Sequence, residues 1–337
     1  MSSVQSLRIT DALRCTLLNA PRGPNLACPG PTLNISKSRY NGASLWRSAV
    51  LQPKGQVALA HWQGTRLSGL ASARTRSGHR AWELDGLYLP SVAPSTSSGV
   101  SASAGEHCRE LSEGEAEALA LLEETFRAVG ERAGERVFLR VTGGSPVIPL
   151  ARRSGFIAVC GETLVEGPVL SGANGSSAHD SQPLAGALRP RLPSDEYGVF
   201  QLYCAATPIR VRQAMGLTFE QWRDAREPGS RGVAPLRQQE WIVEESSRIQ
   251  GWVKLSGRAG SAAAEVMAHP DHPELLYQLV AFASSRTSRL RWLVPDYQAP
   301  IADRLLDRGG RAAGEYNMMV KMVTVPAMQY GMAPVEA

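Results

Sequence analysis

The sequence predicts a mixed α/β fold built twice in tandem, and three observations carry that reading. Short motifs recur in one order: Arg66-Leu67-Ser68-Gly69-Leu70 returns as Arg248-Ile249-Gln250-Gly251-Trp252, and Phe138-Leu139-Arg140-Val141 as Arg291-Trp292-Leu293-Val294. Their spacing also recurs, since Asp85 stands five residues before Pro90 and Glu265 five before Pro270. Each copy then closes on a Gly-Glu pair, Gly161-Glu162 and Gly314-Glu315, that leads into a short apolar run. Repeat proteins have periods of about 20–50 residues, so an offset this large means a duplicated domain and not a solenoid.

In the first copy, Gln56–Trp62 and Leu67–Arg74 read as strands around a Gln63-Gly64-Thr65 turn. Leu67, Gly69, Ala71 and Ala73 alternate with polar neighbours, the period of a half-buried strand. Ala81–Leu89 completes an antiparallel meander, with Trp82, Leu84 and Tyr88 expected on one face and Glu83 and Asp85 on the other. Residues 91–111 read as a flexible insertion, because Ser91–Gly105 has almost no large apolar group to offset its ordering entropy. Ser112 with Glu115 forms a capping box at the start of a long helix, whose stripe is Leu119, Leu122, Phe126 and Val129. Strand Arg136–Val141, a short helix Ser145–Arg153 stopped by Gly155, and a final hairpin over Phe156–Val165 follow.

Residues 167–193 are dense in Gly, Ser, Ala and Pro and read as a linker. The predicted units are therefore 1–166 and 194–325, with a tail at 326–337. In the second copy we expect strand Val199–Ala205, helix Ile209–Arg226, a loop at Glu227–Pro235, and strands Glu240–Glu245, Ile249–Leu255 and Ala262–Ala268. Helix Pro273–Ser284, strand Leu290–Val294, helix Ala299–Asp307 and strand Tyr316–Val323 complete it. Each half thus has a mixed central sheet flanked by helices.

Composition narrows the function classes. The 337 residues are 43% hydrophobic and 20% charged, which describes a globular protein with room for two cores. No apolar stretch reaches the roughly 20 residues of a membrane span, and the first residues lack a basic start and apolar centre. Five scattered cysteines without a C-x-x-C pair argue against a disulfide framework or a structural zinc. These observations point to a cytoplasmic protein without a metal. The net charge is +5, yet no basic run is interleaved with aromatics, so no nucleic-acid partner is expected.

The motifs Trp82–Pro90 and Ala151-Arg152-Arg153-Ser154-Gly155-Phe156, with Ala264–His272 and Leu305–Gly309 in the second half, resemble those of the GNAT acyltransferases. The resemblance implies two GNAT-like domains, in each of which two neighbouring parallel strands splay apart to admit the pantetheine arm of acetyl-CoA. It further implies that amides near Leu87, Tyr88 and Leu89 hold the arm and that the helix start at Ser112 receives the diphosphate, as helix N-termini do. Asp85 or Glu83 would be the base that takes a proton from an amine, with Glu265 similarly placed in the second half.

Several features depart from the family pattern. The Arg/Gln-x-x-Gly-x-Gly/Ala phosphate loop is missing, and His269-Pro270-Asp271-His272-Pro273-Glu274 puts prolines and acids at the second helix start. Ala151 and Leu305 stand where a proton-donating tyrosine is common, and Gly144 where an asparagine is. His269 and His272 have no evident third metal ligand, and Trp241, Trp252 and Trp292 read as core. The leading expectation is an acetyl-CoA-dependent N-acetyltransferase, with the first half the better CoA site. The alternative is a catalytically inactive binding or regulatory protein of the same fold.

Overall fold

The computed structural model describes residues 2–8, 10, 25–28, 55–64, 66–89, 113–167, 187–227, 237–258, 261–287 and 289–324. The first half contributes β1 (Ser2–Ser6), β2 (Gln56–Gln63), β3 (Arg66–Thr75), β4 (Ala81–Tyr88), α1 (Glu113–Gly130), β5 (Arg136–Thr142), α2 (Val147–Arg153) and β6 (Ile157–Gly167). The second contributes β7 (Ala187–Pro190), α3 (Glu196–Ala206), α4 (Ile209–Met215), α5 (Phe219–Ala225), β8 (Arg237–Glu245), β9 (Arg248–Arg258) and β10 (Ser261–Ala268). It ends with α6 (Glu274–Arg286), β11 (Leu290–Pro295), α7 (Ala299–Asp307) and β12 (Arg311–Met322). The expected insertion at 91–111, Ser112, most of the linker and the tail lie outside the described residues.

The mixed α/β expectation holds, and the two halves share one topology. All twelve strands form a single sheet in the order β1-β2-β3-β4-β5-β12-β6-β11-β10-β9-β8-β7. This order is a palindrome about the β12–β6 pair, so the halves are related by a pseudo-twofold axis. Their last strands are exchanged: β12 pairs with β5 of the first half, and β6 pairs with β11 of the second. Instead of two separate central sheets, the duplicated halves therefore build one. The boundary expected at residue 167 falls at the end of β6, a strand whose neighbours are both in the second half.

The repeated glycines show why the motifs recur. The β2–β3 register slips at Ser68, just before Gly69, and the β8–β9 register slips at Gln250, just before Gly251. A Cβ on Gly69 would lie 3.1 Å from Leu121 of α1, and one on Gly251 would lie 3.1 Å from Leu279 of α6. Each glycine lets the long helix of its half press onto the sheet, and the adjacent bulge twists the strand to meet it.

Alternation along the strands then sorts the cores. Val137, Leu139 and Val141 pack beneath α1 and α2, while Phe138 turns to the other face with Val211 and Ala225 of α4 and α5. In the second half, Val253 and Leu255 pack under α6 and α7, while Trp252 joins Leu202, Tyr203 and Trp222 beneath α3 and α5.

Several local expectations are corrected. Val199–Ala205 belongs to helix α3, and its buried residues Val199, Leu202 and Tyr203 fall at helical spacing. The helix expected over Ile209–Arg226 is two helices, broken where Gly216 takes φ 153° against the backbone of Gln221 and Trp222. The hairpin over Phe156–Val165 is the single strand β6, and the end of the expected linker is strand β7, paired with β8. A bulge at Asp85 puts Leu87 with Trp82 and Leu84, and turns Tyr88 to the opposite face beside Leu70.

Candidate functional site

The palindrome creates two equivalent openings in the sheet. Strands β4 and β5 pair in parallel only over Ala81–Glu83 with Arg136–Phe138, and β10 and β11 only over Ala262–Ala264 with Leu290–Trp292. Beyond those three-residue ladders the strands no longer bond to each other. Free backbone groups at such a fork are obligatory hydrogen-bonding sites that something must satisfy.

In the first half the protein satisfies them itself. The segment Asn25–Cys28 lies in the fork: Leu26 N–H donates to the Leu87 carbonyl at 2.9 Å, and Cys28 N–H to the Arg140 carbonyl at 2.8 Å. The Asn25 amide adds a second clasp on β4. Its Nδ2 donates to the Asp85 carbonyl at 2.9 Å, and its Oδ1 accepts from Leu87 N–H at 2.8 Å. Ala27 is buried in the core beneath α1. Leu87, expected to hold a pantetheine, thus has both backbone groups engaged by a strap that bridges β4 and β5.

The other residues singled out in this half fare similarly. Tyr88 bonds in register with Leu70 of β3, burial pushes its phenol well above the ordinary range, and Leu89 is buried in the core. Asp85 accepts from Ser72 Oγ at 2.7 Å and faces Arg74 Nε at 3.3 Å, beside the closed fork. Glu83 is corrected from an outward-facing carboxylate to a buried one. Its side chain is 1% exposed and lies 3.7 Å from Arg76, which also faces Glu227. A base must reach the proton it abstracts, and the Glu83 side chain is buried.

The second fork opens into a cavity of about 220 Å³. One wall is β10 over Ala263–Met267 and another is β11 over Arg291–Pro295; Tyr203, Val211, Met215 and Trp222 come from α3–α5. First-half residues reach the same space, Arg140 from β5 and Cys160 and Glu162 from the exchanged β6, where Met318 of β12 joins them. The site is therefore composite, assembled from both copies.

Its polar groups sort by burial. Glu265, on β10, accepts from Lys254 Nζ at 2.8 Å; the lysine side chain is 4% exposed and the carboxylate 40%. A buried cation thus holds a carboxylate whose other side is open. Deeper in, Arg140 meets Glu162 at 2.5 Å and Glu227 at 2.8 Å. Burial opposes the charge of Arg140, but Glu162 and Glu227 outweigh it and hold the guanidinium firmly protonated. Burial raises the Cys160 thiol far above its ordinary range, reinforced by Glu162 and Asp296, so this cysteine is not a thiolate nucleophile. Burial likewise keeps the Tyr297 phenol protonated at the cavity wall.

The start of α6 carries the prolines and acids read from the sequence. Pro273 caps it without a side-chain hydrogen bond, and Glu274 occupies the first turn. Asp271 and Glu274 lie 3.5 Å and 3.4 Å from His269 and His272, respectively.

No protein-family model and no curated protein matches this sequence. Solved structures do. A GCN5-related N-acetyltransferase from Sphaerobacter thermophilus superposes with a TM-score of 0.51 over 97% of each chain, at 13% identity. The fold is that of the GNAT proteins. A tandem GNAT protein from the clavulanic acid biosynthesis pathway, 13% identical, aligns over 97% of this chain and 100% of its own at a TM-score of 0.48. For a GCN5-related N-acetyltransferase from Anabaena variabilis the identity is 12% and the TM-score 0.43, over 79% of this chain, which spans 62% of that protein's length. Within the GNAT fold, the residues missed by sequence reasoning are Asn25, which closes one fork, and Arg140, Lys254, Tyr203 and Tyr297, which line the other. Arg140 and Lys254 carried a signal: each is a lone charge in an apolar strand run, Phe138–Val141 and Trp252–Leu255.

Proposed function

We propose that this chain is an acyl-CoA-dependent N-acyltransferase whose working site is the β10–β11 fork, with acetyl-CoA as donor and an amine as acceptor. The observation that carries the reading is the asymmetry of the two equivalent forks: one is strapped shut, and the other opens on a cavity with a half-exposed carboxylate. This moves the proposed site from the first half to the second. The proposed units remain 1–166 and 194–325, and the proposed setting remains the cytoplasm, without nucleic acid or membrane as partner. Among the described residues no helix is long and apolar enough to cross a membrane.

When bound, the donor would supply its acyl group as an activated thioester. Glu265 would accept the proton lost by the attacking amine, a role typically worth about 10²–10⁴-fold in rate. Lys254 would hold that carboxylate in place, and the Tyr297 phenol is a protonated group at the same wall. Trp222, Trp252 and Met215 give the surrounding wall an apolar surface. The fork suits the narrow pantetheine arm, whereas the start of α6 does not suit the diphosphate, so no residue is assigned to it.

That acidic, proline-capped helix start favours a second reading, a binding protein that keeps the cavity without transfer. Thiol release from acetyl-CoA with a panel of primary amines separates the two. Under the first reading, Glu265→Gln lowers kcat roughly 100-fold at pH 7 and leaves acetyl-CoA affinity nearly unchanged. Neither thiol release nor acetyl-CoA binding at millimolar concentration would leave only the binding protein.

A further inference from the structure

The two forks match residue by residue, and one side chain of the second has a place that Glu265 and Lys254 do not explain. Leu70 and Trp252 end the repeated motif; Leu70 pairs with Tyr88 of β4, and Trp252 with Met267 of β10. The residues just before those partners, Leu87 and Val266, are therefore equivalent. Each turns its carbonyl into its own fork. The Leu87 oxygen accepts from Leu26 N–H at 2.9 Å, and the Val266 oxygen from Gln298 Nε2 at 3.4 Å. Val266 follows Glu265 on β10, and all three of Glu265, Val266 and Gln298 line the cavity.

The two contacts differ in kind. Leu26 donates from the main chain, between the Asn25 clasp on β4 and the Cys28 bond to β5. Gln298 holds its carbonyl with the end of one flexible side chain, at 3.4 Å, beyond the usual N–H···O range of about 2.7–3.2 Å. It stands at the N-cap of α7 without making a cap bond, so its amide is not committed to that helix. Val266 is buried, and a buried carbonyl needs a partner. The partner it has is easily exchanged. An entering chain with its own N–H takes over the carbonyl at the cost of one weak bond. A chain without one strands that oxygen or meets Gln298 across the fork.

We propose that Gln298 is the latch of the second fork: its carboxamide covers the Val266 carbonyl while the fork is empty and yields it to an amide N–H of the donor's pantetheine arm. The fork thereby selects donors that carry an amide. The inference rests on the reading that this fork takes the CoA arm, and its test does not need acyl transfer. CoA itself, without an acyl group, is titrated calorimetrically into the full chain and into Gln298→Ala and Gln298→Met. Both variants remove the amide, and the second keeps most of the bulk. Neither has a bond to give up, so each binds CoA roughly twofold to tenfold tighter than the unaltered chain, the worth of one net hydrogen bond.

A second readout follows the side chain itself. In protein made with isotope-labelled glutamine, the side-chain amide signals missing from Gln298→Ala belong to Gln298, and saturating CoA shifts them as the latch lets go. An affinity that rises in neither variant, or a Gln298 signal that stays in place at saturation, overturns the inference. The two readings fail separately. Tighter CoA binding in the variants, without thiol release from acetyl-CoA in the presence of amines, sinks transfer alone. Thiol release by a chain whose variants bind CoA no tighter sinks the latch alone, and CoA binding by none of the three sinks both.

Discussion

Replacing Asn25 with alanine tests whether the first fork is closed by the strap. The side chain makes three hydrogen bonds: from Nδ2 to the Asp85 carbonyl at 2.9 Å, and to Oδ1 from Leu87 N–H at 2.8 Å and from Ala27 N–H at 3.1 Å. A net contribution of about 1 kcal/mol each gives about 2–4 kcal/mol for Asn25→Ala. Because the strap is local, the loss falls on its own opening equilibrium before it reaches global unfolding. Amide hydrogen exchange at Leu26, Cys28 and Leu87 should therefore accelerate by roughly 30- to 700-fold, at tenfold per 1.4 kcal/mol. Exchange in β9 and α6, far along the sheet, should change little. Unchanged exchange at all three amides in Asn25→Ala would refute the reasoning, since a seated strap cannot lose its clasp at no cost.

Ending the chain at Gly167 removes β11 and β12, the two neighbours of β6, and bares one edge of β5; sedimentation and circular dichroism should show an aggregating or partly folded product. A monomeric fragment with a cooperative melt would contradict the exchanged-strand sheet. Gly69→Ala and Gly251→Ala should each cost about 1–3 kcal/mol in urea unfolding, because each new Cβ lies 3.1 Å from a fully buried leucine methyl. A large difference between them would argue against equivalent packing in the two halves. Burial alone would raise the carboxyl of Glu240, but Arg226, the Trp252 indole N–H and Arg191 more than offset it and hold it below its ordinary range. A depressed carboxyl contributes its stability above the unfolded value of about 4.3 and loses it as pH falls through the folded value. Glu240→Gln should therefore flatten the acid side of the stability curve, and an unchanged slope between about pH 5 and pH 3 would count against this.

Much of the fold was legible because local chemistry repeats. The Gly69 and Gly251 motifs stand in equivalent registers, and α7 occupies Ala299–Asp307 as read from its pattern. Errors arose where a short apolar run fits either period. Val199–Ala205 alternates as well as a strand does, and only packing of Val199, Leu202 and Tyr203 against Trp222 and Trp252 decides for helix. The site was less legible. Asp85 and Glu83 had the right strand, but whether their fork is open depends on Asn25, sixty residues away.

The sequence by itself determined the duplicated α/β order, the glycines where helix meets strand, and the prolines and acids at the second helix start. These depend on near neighbours along the chain, whose sterics and charge are the same in any context. Only the tertiary structure decided that β6 and β12 cross over, that Asn25–Cys28 straps one fork while the other opens on a cavity, and that Arg140 of one copy lines that cavity. A strand's alternation specifies which face it buries and not which edge it joins. Partners as distant as Arg136 and Met322 are chosen by the packing of the whole sheet.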